Sequence, residues 1–195
     1  MRKLLLGFFI FCGASAWGQS GEVWFSAGSS ILSNKGLGSL TPAGTKDDVQ
    51  LDDGFRFGFR FGFNMGEHLG HEIQYAYSRT HLLISNTDTG GMAIHQGGYN
   101  LLGYLTRDGS RVRPFGTVGL GFANFVPPGA TATYGQGSTK FGFNYGGGVK
   151  VKVRDSLAVR FDLRQYDTPK PDFGTYNRSG WLHQTEISAG VGLMF

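Results

Sequence analysis

The chain has 195 residues, of which 33 are glycine, and aromatic residues make up 14% of it. This length suits one domain of ordinary size. The glycines follow no three-residue period, which excludes collagen, and the aromatic content excludes a disordered chain. The net charge is only +4. It falls to +2 without Arg2 and Lys3, which belong to the first predicted element, so no nucleic-acid partner is expected.

The first 18 residues have the three parts of a secretory signal peptide. A charged start is followed by a short apolar run at residues 4–12. Ala14-Ser15-Ala16 then offers a cleavage site, with a cut after Gly18 as the alternative. Nine apolar residues are too few to cross a bilayer as a helix. We therefore predict a signal peptide over residues 1–18 and one mature domain over residues 19–195, whose class the following patterns indicate.

After the signal, apolar residues alternate with small or polar ones, and no run is long enough for a transmembrane helix. The clearest segment begins at Phe55 and ends at Phe63. Every odd position in it is phenylalanine, and the even positions are arginine or glycine. Successive side chains of a strand point to opposite faces. One face of this strand is therefore pure phenylalanine, and the other carries Arg56 and Arg60.

Seven further segments alternate in the same way, which predicts eight strands in all. They lie near residues 22–27, 72–78, 98–105, 114–122, 141–152, 157–164 and 186–195. The apolar face of these strands contains no Asp, Glu, Lys or Arg. The opposite face carries eleven charged residues: Glu22, Arg56, Arg60, Glu72, Lys140, Lys150, Lys152, Arg160, Asp162, Arg164 and Glu186.

The predicted connections alternate between long and short. The long ones are 32–53, 85–94, 124–139 and 167–180, and the short ones are 65–70, 106–111 and 153–156. Outer-membrane barrels have long extracellular loops and short periplasmic turns. A soluble barrel with its apolar face inward is the alternative, but its core would place glycines opposite large aromatics. We predict an all-β fold: an eight-stranded antiparallel transmembrane β-barrel with a filled polar lumen.

Seven charged residues are expected to meet inside this barrel: Arg56, Arg60, Glu72, Arg160, Asp162, Arg164 and Glu186. An eight-stranded barrel is just wide enough for its interior side chains to fill. Isolated buried charges are so costly that they pair. We interpret the seven residues as an internal ionic network that packs the lumen. A gated path for small ions is the alternative interpretation.

A few residues are assigned to the membrane surfaces. Tyr104, Tyr145, Tyr166 and Trp181 are interpreted as members of the aromatic girdles that flank the apolar band of such barrels. Arg79 is the exception on the apolar face. It lies toward the loop end of its strand, where a long side chain can reach the headgroups.

The last twelve residues carry the pattern of a family. They end on phenylalanine, and apolar side chains occupy alternate positions at Ile187, Ala189, Val191, Leu193 and Phe195. This segment resembles the C-terminal strand that the outer-membrane barrel assembly machinery recognises. Together with residues 112–116 and 160–164, it resembles the small outer-membrane barrels of the OmpA/OmpX type, a porin-like family, over essentially the whole mature chain.

The resemblance implies where the protein lies and what it meets. We expect the outer membrane of a Gram-negative bacterium, contact with outer-membrane lipids, and assembly by the barrel assembly machinery. In contrast to OmpA itself, no peptidoglycan-binding domain is expected after the barrel. The motifs of this family are specific for the fold and say little about function.

No pattern indicates metal or cofactor chemistry. The five histidines lack metal-ligand spacing, and the one cysteine, Cys12, lies in the signal peptide. No metal, cofactor or disulfide is therefore expected. A lipid-modifying enzyme would need a serine, a histidine and an acid near one membrane face. His81 and His183 could meet Ser78, Ser85 or Ser179, but no compact arrangement occurs, so an enzyme is not expected.

The leading functional hypothesis is a structural or surface-interaction role through four extracellular loops. A narrow channel for ions or small solutes is the alternative, and a lipid-modifying enzyme is third. The first loop is the longest and holds Lys46, Asp47, Asp48, Asp52 and Asp53. These acids could bind a cation or a basic partner, although exposed acids are usually only solvated.

Overall fold

The computed structural model of the chain describes residues 20–39, 48–129, 137–173 and 179–195. They form ten strands: β1 Ser20–Ser33, β2 Gly36–Gly38, β3 Val49–Leu51, β4 Gly54–Met65, β5 Leu69–Ile84, β6 Thr87–Tyr104, β7 Val112–Val126, β8 Ser138–Arg154, β9 Leu157–Pro169 and β10 Trp181–Met194. Within these ranges no helix has the length and apolarity needed to span a membrane. The predicted signal peptide lies outside them.

Eight of the strands form a closed antiparallel barrel. β1 pairs with β4 on one side and with β10 on the other, and each strand from β4 to β9 pairs with the next. We can follow the paired residues from strand to strand around the barrel, starting at Glu22 of β1. The path comes back to β1 at Leu32, ten residues from where it started. Such a stagger requires strands that are tilted about the barrel axis. The predicted architecture is confirmed.

Side chains alternate between the lumen and the outer surface along the barrel strands. On β4, Phe57 exposes 56% of its surface, whereas Arg56 and Arg60 expose 1% each. The outer surface is aromatic and aliphatic, as at Leu120 and Phe141. In hydrocarbon every backbone polar group must be paired within the protein, and a closed barrel achieves this. The apolar stripe of each strand therefore faces lipid, as the alternation predicts.

One predicted loop is wrong. Residues 85–94 are not a long loop, because β5 continues to Ile84 and β6 begins at Thr87. The two strands are joined by Ser85 and Asn86, whose φ angles are 48° and 62°. Two positive φ values are typical of a tight type I′ hairpin turn. Above the membrane the outer face of a hairpin no longer has to be apolar. The sequence there loses its alternation of apolar and polar residues, although the two strands remain paired.

The first predicted loop contains structure of its own. β3 continues the sheet beyond the end of β4 by pairing with the top of β5, and β2 pairs with β3. We call β2 and β3 the extracellular flap. Asp53 anchors its end: its carboxylate lies 2.7 Å from the Lys35 ammonium and accepts the Leu32 N–H at 2.8 Å. Partial burial opposes ionisation, but these hydrogen bonds outweigh it and hold the pKa of Asp53 below its usual value.

The girdle prediction is wrong for two of its four residues. Tyr104 and Tyr166 lie inside the lumen, each 5% exposed. Their positions have the same parity as the inward-facing Leu102 and Arg164, and strand alternation outweighs the general preference of tyrosine for membrane surfaces. Trp181 lies on the outer surface, as does Tyr145.

A charge on the lipid face tests this assignment. Leu120→Arg places a guanidinium near the middle of β7, and we expect it to lower the free energy of unfolding in lipid vesicles by about 2–4 kcal/mol. Leu105→Arg is the matched control, because Leu105 is also exposed but lies just beyond the end of β6, where the cost is about 0–1 kcal/mol. Urea titrations would compare them. Equal losses in both variants would contradict the assignment.

The C-terminal residue helps to close the barrel. The Phe195 N–H donates to the Gly21 carbonyl at 3.0 Å, and the Gly21 N–H donates back to the Phe195 carbonyl at 2.8 Å. The Phe195 ring lies on the outer surface, 6.4 Å from the ring centre of Phe61. Recognition of this strand by the assembly machinery stays a prediction.

Removal of Phe195 should leave most of the protein outside the membrane, because the terminal aromatic of the predicted recognition strand is lost. Heat-modifiable gel mobility of isolated outer membranes measures the folded fraction. Met194→Ala, one residue earlier and on the other face, is the control and should insert normally. Normal insertion without Phe195 would refute the assigned role.

Candidate functional site

The lumen is filled in layers, and the first closes the end with the short turns. Lys150 donates to the Glu22 carboxylate and, at 2.6 Å, to the Tyr104 hydroxyl. The Trp24 indole N–H donates to Glu22 at 2.8 Å. The Arg113 guanidinium stacks 3.8 Å from the centre of the Tyr104 ring. We call Glu22, Trp24, Tyr104, Arg113 and Lys150 the periplasmic plug.

The structure brings all seven predicted network residues together above this plug. Arg160 donates to the two carboxylate oxygens of Asp162 at 2.7 and 2.9 Å, and to Glu72 at 2.5 Å. Arg164 contacts the same two acids at 3.0 Å each. The inward face of β9 supplies three of these residues, and Glu72 reaches them across the lumen from β5. The network therefore crosslinks strands that are not neighbours in the sheet.

The other half of the network is centred on Glu186. Arg60 donates to this carboxylate at 2.5 Å, and Arg56 lies 3.0 Å from it. The Tyr166 hydroxyl donates to it at 2.8 Å. Arg60 also lies 3.6 Å from Glu72, which joins the two halves. All seven ionised side chains are buried.

A layer of neutral hydrogen-bonding groups follows toward the loop end. Gln96 donates to the Gln184 carbonyl oxygen at 2.8 Å, and Gln184 donates to the hydroxyls of Ser30 and Ser78. The Gln74 carbonyl oxygen accepts from Arg164 at 3.3 Å and lies 3.1 Å from the Tyr166 hydroxyl. These groups separate the charges from the apolar residues above them.

The extracellular end of the lumen is an apolar cluster, which we call the apolar cap. Its buried members are Leu32, Leu37, Val49, Leu51, Leu82, Met92, Ile94, Ala123, Phe125 and Leu182. The extracellular flap supplies Leu37, Val49 and Leu51, none of which has any exposed surface. The flap thus folds over the barrel mouth and buries apolar side chains there.

Sequence reasoning missed the apolar cap and the pairing of Glu22 with Lys150. Both charges were placed on the inward face, but neither was included in the predicted network. The cap was missed because residues 32–53 and 85–94, which contain most of its members, were interpreted as loops. A signal was available in the sequence. Leu82, Met92 and Ile94 are apolar and occupy even positions, and the even positions of β5 and β6 face inward. They therefore continue this inward face beyond the membrane.

The acidic residues of the first loop have partners within the protein where the structure describes them. Asp52 and Asp53 lie 3.6 and 2.7 Å from the Lys35 ammonium. Asp48 accepts a hydrogen bond from the Ser39 hydroxyl at 3.0 Å. Their geometry fits a role in holding the flap. Lys46 and Asp47 lie outside the described residues.

The two histidines considered for lipid chemistry lie beside acidic residues. His81 and His183 lie on the outer side of their strands, 2.8 Å from the Asp88 carboxylate and 2.6 Å from that of Asp167. Ser78 faces the lumen and has no exposed surface. The histidine and serine of the same strand thus point to opposite sides of the barrel wall.

A closed eight-stranded barrel with an apolar outer surface and a charged, filled lumen defines the class of small outer-membrane barrel proteins. The sequence matches the outer membrane protein β-barrel domain family over residues 4–195, and the chain belongs to this family. It is a protein of the bacterial outer membrane. The resemblance to small outer-membrane barrels is thereby confirmed.

Solved structures with the same fold include Neisserial surface protein A (NspA), with a TM-score of 0.63 and 18% identity over 91% of this chain and 99% of that one. The outer membrane protein AlkL, solved in DMPC lipid bilayers, has a TM-score of 0.59 and 12% identity over 93% of each chain. Ail of Yersinia pestis, solved with the heparin analogue sucrose octasulfate, has a TM-score of 0.51 and 17% identity over 91% of this chain and 98% of that one. At these identities the similarity shows the fold alone. A comparison with curated protein sequences finds no match.

Loss of one carboxylate from the network should be costly. Glu72→Gln removes a charge that contacts Arg160 and Arg164, and we expect a loss of about 3–5 kcal/mol in the free energy of unfolding, because the arginines stay charged in a buried site. Glu67→Gln is the matched control. Glu67 pairs with Arg107 at 3.3 Å on the surface, and such pairs are worth about 0–1 kcal/mol. A Glu72→Gln barrel as stable as the control would show that the network does not hold the lumen together.

Proposed function

We propose that the protein is a non-conducting outer-membrane barrel that acts through its extracellular surface, in a structural or surface-interaction role. The observation that supports this is the continuous filling of the lumen. The periplasmic plug, the ionic network, the neutral layer and the apolar cap follow one another along the barrel axis. The barrel then serves as an anchor, and the parts that remain free to meet a partner lie outside the membrane.

The apolar cap argues most strongly against the channel alternative. A small ion that entered from outside would have to leave water among Leu37, Leu51 and their neighbours. Moving an ion into a low-dielectric interior costs several kcal/mol even after relaxation. It would then meet guanidinium groups that already have carboxylate partners. An open path would require both the cap and the network to come apart.

The extracellular surface supports the interaction role. The β5–β6 hairpin extends past the barrel rim, and the extracellular flap is paired to its side. The side chains of Gln50 and Asn86 join the two at 3.0 Å. The described part of this end is thus a folded platform of paired strands. Such a platform binds a partner without the entropy cost of ordering a flexible loop.

Planar-bilayer recording tests the proposal directly. Purified, folded protein should add no single-channel steps at high salt, whereas a large porin incorporated in the same way provides the positive control. The folded fraction is verified first by heat-modifiable mobility. Reproducible steps that scale with the amount of protein would overturn the non-conducting assignment and support the channel.

A second experiment addresses the surface role. In a strain that lacks the protein, we expect changed cell aggregation or adhesion, restored by the wild-type chain. A chain with Thr87→Ala and Asp88→Ala at the hairpin tip should insert normally but restore it less. Glu67→Gln on the periplasmic side is the control and should restore it fully. Full restoration by the tip variant would argue against the hairpin as the contact surface.

A further inference from the structure

The ionic network carries one positive charge more than it can neutralise. Its seven buried residues comprise four arginines and three carboxylates. The neighbouring Lys150–Glu22 pair adds one charge of each sign. Arginine cannot lose its proton in a protein. A buried charge without a counter-charge is strongly unfavourable, so the lumen needs one further negative charge.

The surplus charge is located at Arg56. Arg160 and Arg164 each contact two carboxylates, and Arg60 lies within 4 Å of three. Among the described residues, Arg56 lies within 4 Å of one carboxylate, that of Glu186, which Arg60 also contacts. The nearest atom of Arg56 is Nε, which makes no hydrogen bond there.

The two terminal nitrogens of Arg56 also lack a carboxylate partner among the described residues. Its NH1 donates to the neutral groups of Ser78 and Gln96. Its NH2 is buried and has no hydrogen-bond partner among the described residues. Arg56 is therefore the cation whose charge is least compensated.

A cavity lies in the barrel wall near this arginine, lined by residues of β5, β6, β7, β8 and β9. Its lining includes the outward-facing Phe122 and Phe143. Its volume is about 10 Å³, room for about one water-sized particle. Gln96 and Tyr166 line it, and both contact Arg56. The Gln96 carbonyl oxygen accepts a hydrogen bond from NH1 of Arg56. The centre of the Tyr166 ring lies 4.4 Å from the guanidinium carbon. Gly121 and Gly142 form the opposite wall and have no side chain to fill the space.

Hydrogen-bond donors surround the cavity. Asn144 lines it, is 2% exposed, and has a buried Oδ1 without a partner. Rotation of this amide by 180° presents its NH₂ group instead, since the two orientations have the same shape. Gln74 accepts from Arg164 through its carbonyl oxygen, which leaves its amide N–H groups as donors.

We infer that this cavity binds one small monovalent anion of the halide class, held by Arg56 and the amides of Asn144 and Gln74. One negative charge matches the surplus of the network. The small volume of the cavity favours a monatomic ion over a larger oxyanion. The anion is a structural counter-ion of the lumen, and its binding does not depend on the proposed surface role. Water could satisfy the same donors but would leave the charge uncompensated.

Bromide identifies the ion in a crystal. The full barrel is refolded and crystallised with bromide as the only halide, and anomalous scattering is recorded at the bromine edge. We expect a peak within hydrogen-bond distance of Asn144 and next to the Arg56 guanidinium. Absence of a peak at this position overturns the inference, and density without an anomalous signal identifies water and overturns it equally.

Two variants test the mechanism in solution. Thermal unfolding is followed in bromide and in gluconate, a bulky anion, at equal ionic strength. The wild-type midpoint should rise saturably with bromide. Arg56→Gln removes the surplus charge, so we expect bromide binding to weaken about tenfold or more. Arg79→Gln, on the outer face at the rim, is the control and should keep the wild-type response.

Asn144→Asp places a carboxylate at the cavity and so provides the missing negative charge within the protein. This variant tests the inference even if Arg56→Gln does not fold. This barrel should be as stable in gluconate as the wild type is in bromide, and it should show no anomalous peak. Asn86→Asp at the exposed hairpin tip is its control. A bromide response that is equal in the wild type and in the lumen variants would overturn the inference.

Discussion

The structure depends on one electrostatic constraint: ionised side chains occupy a lumen that is barely wide enough to hold them. Lipid surrounds the barrel, so a charge can turn neither outward nor toward bulk water, and it has to find its counter-charge across the interior. Arg160 and Arg164 do this through Asp162 on their own strand and Glu72 on the opposite side. The resulting crosslinks join strands that share no backbone hydrogen bond.

Glycine makes this arrangement possible by leaving space beside the longer side chains of the neighbouring strand. Asn100 illustrates it, because a Cβ on Gly119 would lie 2.0 Å from its Oδ1. A Cβ on Gly142 would similarly come within 2.7 Å of the Thr168 side chain. Side chains on one strand thus fill space that the glycines of the neighbouring strand leave free. The abundance of glycine reflects the packing of long charged side chains in a narrow barrel, and it explains why mean hydropathy alone conceals a membrane protein.

The sequence was most informative wherever the two-residue period holds. The odd-numbered phenylalanines of β4 assigned both faces of that strand, and the same reasoning brought Arg56, Glu72 and Arg160 into one lumen. It failed where the environment changes along the strand. Above the membrane, Leu82 and Ile94 continue the inward face while their outward neighbours become polar, so the apolar cap was interpreted as loop. The β2 and β3 pairings are nonlocal, and no short pattern in the first loop specifies them.

The central claim is that the lumen is dry and closed while the opposite stripe meets lipid. Spin labels at single cysteines on β7 test it, with Val118→Cys and Leu120→Cys outward and Thr117→Cys and Ala123→Cys inward. Collision rates with oxygen and with a water-soluble nickel chelate are measured in lipid vesicles. We predict high oxygen and low nickel accessibility outward, and low accessibility to both reagents inward. Inward labels that collide freely with the nickel chelate would contradict a filled lumen, and outward labels that do so would contradict the membrane assignment itself.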